Sequence, residues 1–273
     1  MAEIIAVANQ KGGVGKTTTS IEIASALKNE DKKVLLIDMD QQGNLSKYVN
    51  ANLDTKEIVE KNKSKNVRVI PTIREALLGE NEIEEVIQHL DICDVITSSP
   101  ELSKADKEFA DVEDIFLLSD LLNFIKDEYD YIVIDNSPSR NVLLTMAYVA
   151  ADKIIVPTEC DEGSIDGIWA IWSDVKALRN GRMNCSHAVI EGIILTKTEK
   201  TVLHSMALDE IKTFANDIAG EQDGREPFSL TVRKGIAASE CKSMGQSLQQ
   251  YDKYGNLATD YRKIAKTIVE RGK

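Results

Sequence analysis

The sequence predicts an α/β fold in which a doubly wound, mainly parallel sheet is flanked by helices. Short apolar runs recur along the chain, and each is followed by a longer segment with helical periodicity. Runs without polar alternation are typical of strands that are buried on both faces, and strand–helix repetition is typical of parallel sheets. The 273 residues contain no clear linker or internal repeat, so we expect a single domain over 1–273.

Each expected element follows from its own stretch of sequence. Helices are expected from about Lys16 to Lys28 and over 141–151 and 163–180. A charged, poorly patterned stretch at 54–68 predicts a surface excursion. The loops after parallel strands meet at one edge of the sheet, where ligands of such folds bind. Five strands are expected, at 3–9, 33–40, 129–137, 152–159 and 188–196.

Charge is unevenly distributed along the chain. The formal net charge is -12, so the molecule as a whole should repel nucleic acid. Residues 200–273 hold 12 Lys/Arg against 10 Asp/Glu, whereas the preceding 199 residues hold 21 against 35. An anionic polymer is therefore expected to dock only at the C-terminal quarter.

Composition also argues against several classes of protein. The four cysteines and three histidines are scattered without metal-ligand spacing, which is typical of reduced, structural thiols. No apolar run approaches the ~20 residues of a membrane helix, and the N-terminus does not have the pattern of a signal peptide. We expect a cytoplasmic protein without a membrane partner.

Residues 9–20, NQKGGVGKTTTS, follow the first predicted strand. Small glycines let backbone N–H groups surround phosphate oxygens, and the next helix points its positive end at them. Lys16 adds charge on the terminal phosphates, the Thr17 hydroxyl suits Mg²⁺, and Thr18 can donate another hydrogen bond. The predicted nucleotide site consists of Lys11, Gly12, Gly13, Val14, Gly15, Lys16, Thr17 and Thr18.

A second lysine, Lys11, makes this loop unusual. The common pattern starts with a glycine where this chain has Gln10, and the variant present here is called the deviant Walker A motif. A lysine on the outer side of the glycine loop would point away from its own nucleotide and reach phosphates on a second copy across a two-fold axis. Lys11 therefore predicts an ATP-sandwich homodimer; a solvated surface lysine is the simpler alternative.

Three aspartates complete the predicted site. Asp38 and Asp40 end the second apolar strand and Asp135 ends the third, in the Walker B arrangement. We expect Asp135 and Asp38 to hold Mg²⁺ and Asp40 to orient the attacking water. Each aspartate alone could be a helix cap. The glycine loop followed by two strand ends with aspartates, in this order along the chain, favours a nucleotide site.

The motifs at 11–20, 35–44, 131–139 and 154–167 resemble the ParA/Soj family of partition ATPases, within the larger group that includes MinD. Weaker similarities at 73–80, 96–109 and 261–270 extend the resemblance over nearly the whole chain. The first motif starts near residue 8, so we expect the short, Soj-like kind without an N-terminal DNA-binding extension.

The resemblance implies a role for each matching residue. Lys11 matches the intermolecular lysine, Lys16 the phosphate lysine and Thr17 the Mg²⁺ ligand. Asp40 matches the aspartate needed for hydrolysis and Asp135 the Walker B aspartate. Such proteins bind ATP and Mg²⁺, dimerise and coat nucleoid DNA non-specifically. They release it when a ParB-type partner stimulates slow hydrolysis.

The segment 231–245 departs most from the family. Lys234 matches one family arginine, whereas a DNA-contacting arginine falls on Ala237. Phosphate contacts tolerate exchange of arginine for lysine, and non-specific binding needs only such contacts. The predicted DNA contacts are Lys200, Arg233, Lys234 and Lys242, with ordinary solvated side chains as the alternative.

Three other functions fit parts of the sequence. A MinD-like membrane-positioning ATPase would need a tail with a Trp/Phe/Leu-rich face, which 261–273 lacks; we expect a last domain helix there. A relative that positions a protein assembly along the nucleoid would share the same DNA surface. A metabolic iron–sulfur enzyme would need grouped cysteines.

Overall fold

A sheet of eight strands runs through the part of the protein that the structure describes. The structure is a computed structural model that describes residues 1–51, 70–161, 163–181 and 183–272. The predicted surface excursion at 54–68 lies outside these residues. The strands are β1 (Glu3–Val7), β2 (Val34–Asp38), β3 (Ile87–His89), β4 (Asp94–Ile96), β5 (Tyr131–Asp135), β6 (Lys153–Thr158), β7 (Val189–Thr198) and β8 (Phe228–Arg233).

The order of the strands across the sheet is β3-β4-β2-β5-β1-β6-β7-β8. All neighbouring pairs are parallel except β3 and β4. The five predicted strands are confirmed as β1, β2, β5, β6 and β7, the central part of the sheet. Their carboxyl ends meet at one edge, as expected for a doubly wound fold.

Helices connect the strands and cover both faces. The helices are α1 (Lys16–Lys28), α2 (Asn44–Tyr48), α3 (Ile73–Leu77), α4 (Ala105–Glu108), α5 (Leu117–Ile125), α6 (Val142–Ala150), α7 (Ser164–Asn180), α8 (Val202–Ala219), α9 (Ala237–Met244), α10 (Leu248–Tyr251) and α11 (Asn256–Arg271). Short 3₁₀ helices lie at Ile83–Val86, Pro100–Lys104 and Val112–Phe116. The predicted α1, α6 and α7 are present within a residue or so of their expected bounds.

Side-chain alternation along each strand divides the core into two layers. In β1, Ile4 and Ala6 pack with α5 to α8, whereas Ile5 and Val7 pack with α1 and α11 on the opposite face. Since both faces are covered, the strands are apolar at successive positions, which is the pattern that predicted them.

The chain's last helix belongs to the second of these layers. Tyr261, Ile264 and Ile268 of α11 are buried against α1. The expected last domain helix is therefore present, and its apolar stripe is used in packing. None of the helices in the described residues is long and apolar enough to cross a membrane.

Three strands were not predicted, and all are short or interrupted. Strands β3 and β4 have three residues each, too few for a recognisable apolar run. Strand β8 lies at the sheet edge and mixes buried with exposed positions, so its hydrophobic pattern is broken.

The two tryptophans of α7 differ in burial. Trp172 is buried in the core, whereas Trp169 is 42% exposed and packs edge-on against Phe214.

Candidate nucleotide site

The loop between β1 and α1 has the backbone of a phosphate cradle. Gly13 and Gly15 have φ of 81° and 89°, in the left-handed region where a side chain is disfavoured. Gly15 is the N-cap of α1 and supplies no side-chain cap, so N–H groups of the first turn have no intrahelical partner. Free N–H groups at a helix N-terminus attract an anion.

Lys16 extends from the first turn of α1 into this loop. Its side chain is 7% exposed, and Nζ donates a hydrogen bond to the Lys11 carbonyl at 2.8 Å. Burial lowers the pKa of the Lys16 ammonium, while Asp135 and Asp40 act in the opposite direction. The ammonium thus lies at the sheet edge under the influence of both carboxylates.

Asp135 ends β5, directly beside Asp38 at the end of β2. Its Oδ1 accepts a hydrogen bond from Ser20 Oγ at 2.9 Å, whereas its buried Oδ2 has no partner among the described residues. Burial, with a contribution from Asp38, raises the pKa of Asp135 to about 8, although the neighbouring Thr17 and Ser20 hydroxyls act against the shift. An unpaired buried carboxylate oxygen beside a threonine hydroxyl fits a Mg²⁺ site.

Both carboxylate oxygens of Asp38 accept hydrogen bonds from within the protein. Its Oδ2 accepts hydrogen bonds from the Ser46 N–H at 2.9 Å and Oγ at 2.7 Å, and its Oδ1 accepts from the Asp40 N–H at 3.1 Å. Burial raises the pKa of Asp38 to about 6. The Asp38 carboxylate thus ties the start of the loop after β2 to α2, and a direct contact between Asp38 and a metal stays a prediction.

Asp40 lies in a turn held by these contacts. Its side chain is 6% exposed, its Oδ1 accepts from the Gln42 N–H at 3.0 Å, and its carbonyl accepts from Ser98 Oγ. Asp40, like Asp135, raises the pKa of Lys16 against the effect of burial. The position therefore suits a carboxylate that faces the terminal phosphate.

Lys11 lies on the exposed shoulder of the loop. Its Nζ forms an ion pair with Asp161, in the loop between β6 and α7, and its N–H donates to Asn9 Oδ1 at 2.9 Å. Partial burial tends to raise the pKa of Asp161, but hydrogen bonds from Lys11 and Ser164 outweigh it, and the net pKa is lowered. The structure thus separates the two lysines: Lys16 lies inside the site and Lys11 outside it.

Comparison with known proteins gives the family. A family model described as an AAA domain matches residues 2–187. The chromosome-partitioning ATPase Soj of Treponema pallidum is 30% identical over 275 residues, which cover 99% of this chain and 98% of the relative. The chain belongs to the ParA/Soj family of partition ATPases. A second member, the chromosome partitioning protein ParA of Myxococcus xanthus, is 29% identical over 277 residues, covering 99% of this chain and 89% of that protein.

A solved structure supports the same assignment. A Borrelia burgdorferi protein, described as a plasmid partition protein and bound to AMPPNP, matches with a TM-score of 0.77 and 26% identity. The match covers 99% of this chain and all of that one. This ParA/Soj-family chain is therefore a P-loop ATPase with a mainly parallel sheet.

Three residues that were not predicted from the sequence hold the phosphate loop of this family member. Asn9 Nδ2 donates to the Pro157 carbonyl at 2.8 Å, and Thr196 Oγ1 donates to the Val14 carbonyl at 3.0 Å. Lys197, with a φ of 54°, donates from Nζ to the Gly13 carbonyl at 2.9 Å. Each of the three lies at or near a strand end on the ligand edge, and that position is the signal that would have found it.

A cavity of about 650 Å³ adjoins the start of α1 in this ParA/Soj-family chain. Gly15 and Thr18 line one side of the cavity, and Val232, Leu257 and Tyr261 line another. Its volume and its largely apolar wall suit a ring system of nucleoside size. No local sequence pattern indicates this cavity, because its walls come from segments about 200 residues apart.

Two of the predicted DNA contacts are paired with acidic residues. Arg233 donates to Asp260 from both Nε, at 2.9 Å, and Nη2, at 2.7 Å. Lys234 forms an ion pair with Glu199 at 3.0 Å. These pairs are largely exposed, and they offset the positive charge that the sequence suggested for this segment.

The other two predicted DNA contacts, unlike Arg233 and Lys234, do not form ion pairs among the described residues. Lys200 follows β7 and Lys242 lies on α9, and both are exposed. Within the described parts of the chain, neither has an acidic side chain at ion-pair distance. Positive charge available for phosphates is therefore provided by these two lysines more than by Arg233 and Lys234.

Proposed function

We propose that this chain is an ATPase that binds ATP and Mg²⁺, forms an ATP-sandwich homodimer and binds DNA non-specifically. With a ParB-type partner that stimulates slow hydrolysis, it moves a plasmid, a chromosome origin or a mobile element. One observation carries the proposal: Lys16 is buried inside the phosphate loop, with Nζ on the Lys11 carbonyl, while the Lys11 side chain lies outside on the same loop. We expect a cytoplasmic, nucleoid-associated protein.

The inner residues would bind and orient the phosphates. Backbone N–H groups of the loop, Lys16 and Thr18 bind the phosphate oxygens. The Thr17 hydroxyl and the free Oδ2 of Asp135 are the proposed Mg²⁺ contacts, with Asp38 as a further ligand or as the support of Asp40. Bound Mg²⁺ supplies charge that neutralises the phosphates.

Asp40 and the second copy's Lys11 would act at the terminal phosphate. The Asp40 carboxylate accepts a hydrogen bond from water and orients it in line with the bond that breaks. Lys11 from a second copy places its ammonium where negative charge develops. For this contact Lys11 leaves Asp161, an exchange of one anionic partner for another that costs little at a half-exposed ion pair.

The cavity beside α1 would hold the base and ribose. Thr18 lies at the wall nearest the phosphate loop, and residues 232–236 form the far wall. The same stretch contains two of the predicted DNA contacts, Arg233 and Lys234. A nucleotide bound there thus touches the segment that is proposed to bind DNA, which supports nucleotide-dependent DNA binding.

The test is binding to a non-specific duplex, measured by fluorescence anisotropy at low and moderate salt. The three conditions are ATP–Mg²⁺, ADP–Mg²⁺ and no nucleotide, with light scattering to follow the oligomeric state. Tight, salt-sensitive binding with ATP alone is the expected result. ATP-dependent dimerisation without DNA binding in any state would contradict the DNA part of the proposal. A monomer in all three states would contradict the sandwich dimer.

A further inference from the structure

Asp174, on the third turn of α7, joins two loops that border the phosphate site. Its Oδ2 accepts hydrogen bonds from Gln10 Nε2 at 2.8 Å and from Arg140 Nε at 3.1 Å. Its Oδ1 accepts a further hydrogen bond from Arg140 Nη2. Gln10 and Arg140 are 164 and 34 residues away in sequence, so the contact exists only in the folded chain.

The Gln10 contact acts on the shoulder of the phosphate loop. Gln10 directly precedes Lys11, and the Lys11 carbonyl is the acceptor for Lys16 Nζ. The common loop pattern has a glycine at position 10, which has no side chain for a contact with α7. Gln10 therefore gives this loop an additional attachment just before its outer lysine.

The Arg140 contact acts on a second loop. Arg140 lies five residues after Asp135, in the connection between β5 and α6. A cavity of about 390 Å³ lies beside the ion pair and is lined by Arg140, Asp174, Tyr148 and Leu178. The Arg140 side chain thus borders open space on one side and is held on the other by its ion pair with Asp174.

The same contact contributes little to folding. The Arg140 side chain is 62% exposed and that of Asp174 is 20% exposed. Ion pairs with one partner largely in solvent contribute little to stability, because water screens the charges. An effect of Asp174 on the reaction would therefore be separable from an effect on the folded state.

We propose that Asp174 is a positioning residue for ATP hydrolysis. Through Gln10 and Arg140 it sets the spacing between the loop after β1 and the loop after β5. This spacing in turn sets the direction in which the Lys11 side chain extends toward the second copy. A small error in such a position lowers turnover without preventing nucleotide binding. The inference rests on the proposed action of Lys11 across the dimer.

The test compares turnover of ATP–Mg²⁺ on non-specific duplex for the full chain and its variants. Asp174→Ala is expected to lower kcat about ten-fold while KM for ATP stays within about two-fold. Asp174→Asn keeps an oxygen that accepts from Gln10, and we expect it to retain more than half of the wild-type kcat. Thermal unfolding of both variants should stay within about 2 °C of wild type.

A double-mutant cycle tests the path through Gln10. Gln10→Ala should reproduce the loss seen in Asp174→Ala, and the double variant should be no slower than the slower single variant. Asp217→Ala, on an exposed position of α8, is the matched control and should not change kcat. A wild-type kcat in Asp174→Ala, additive losses in the cycle, or an Asp174→Asn variant as slow as the alanine variant would each overturn the inference. A wild-type chain that does not hydrolyse ATP would instead overturn the proposed function, and this inference with it.

Discussion

Lys11 on the phosphate loop and Asp161 before α7 form an ion pair within one chain. The two residues are 150 positions apart, and their side chains are 45% and 36% exposed. The lysine that the proposed dimer requires is therefore already neutralised in the single chain. A phosphate on a second copy has to compete with Asp161 for the Lys11 ammonium.

Lys11→Ala should spare ATP binding and abolish partner- or DNA-stimulated hydrolysis, because the inner contacts of Lys16 and the loop N–H groups are unchanged. ATP affinity by calorimetry and ATP turnover are the measurements. Lys107→Ala, an exposed lysine on α4, is the control and should behave as wild type. Normal stimulated hydrolysis by Lys11→Ala would rule out the role in trans.

Asp161→Asn should strengthen ATP-dependent dimerisation, because it removes the charge that competes for Lys11 and leaves a side chain of the same size. The ion pair is partly exposed and worth at most about 1 kcal/mol, and two such pairs open in each dimer, which corresponds to a gain of up to about thirty-fold in the dimerisation constant. Sedimentation with ATP–Mg²⁺ measures this constant. A weaker dimer would mean that Asp161 contributes to the interface itself.

Asp40→Ala should bind ATP, dimerise and remain on DNA, because the residue proposed to orient water is lost while the phosphate contacts remain. Dissociation from duplex, followed by anisotropy after a chase with ADP, should be at least ten-fold slower than in wild type. A variant that leaves DNA at the wild-type rate would remove Asp40 from the residues needed for hydrolysis.

The DNA contacts should differ in strength according to their acidic neighbours. Lys242→Ala should weaken binding to duplex and reduce the salt slope by about one per chain. Arg233→Ala should have a smaller effect because Asp260 already neutralises Arg233. Asp260→Asn should strengthen binding. Equal losses for Lys242→Ala and Arg233→Ala would show that the Arg233 pair opens on DNA.

Glu22, buried in α1, should make the protein less stable as pH rises. Burial raises the pKa of Glu22 to about 8, against a hydrogen bond from the Leu248 N–H. Because this value lies above the ordinary 4.5, folding takes up a proton, and the free energy of unfolding falls between about pH 4.5 and pH 8. Glu22→Gln keeps the acceptor for Leu248 and removes the part of this fall that Glu22 causes, whereas Asp135 and Asp38, whose pKa values are also raised, keep their contributions.

The measurement is urea unfolding at pH 6 and pH 8.5 without nucleotide. Glu22→Gln should be more stable than wild type at the higher pH by on the order of 2 kcal/mol, with a smaller difference at the lower pH. Glu84→Gln, at an exposed position, should follow the wild-type pH profile. Parallel profiles for wild type and Glu22→Gln would contradict a protonated Glu22.

The predictable part of this protein is the part determined by local sequence. Uninterrupted apolar runs identified the five central strands, and the order strand, glycine loop, lysine predicted α1 to its terminal residues. The strand-end position of Asp135 was predictable for the same reason. Contacts such as Lys11 with Asp161 were not, because they depend on how distant segments are placed in space. The acidic partner of Arg233 likewise comes from α11, and no local pattern in 231–245 indicates it.

The position of β1 in the middle of the sheet has a consequence for synthesis of the chain. Strand β1 pairs only with β5 and β6, whose residues follow it by more than 120 positions. On the ribosome, the first strand and its glycine loop therefore remain unpaired until about half of the chain has been made. Such long-range pairing slows folding and leaves apolar strands exposed meanwhile. Nascent chains shorter than about 160 residues should neither bind nucleotide nor resist proteolysis, so chaperone demand should be highest just before β6 emerges.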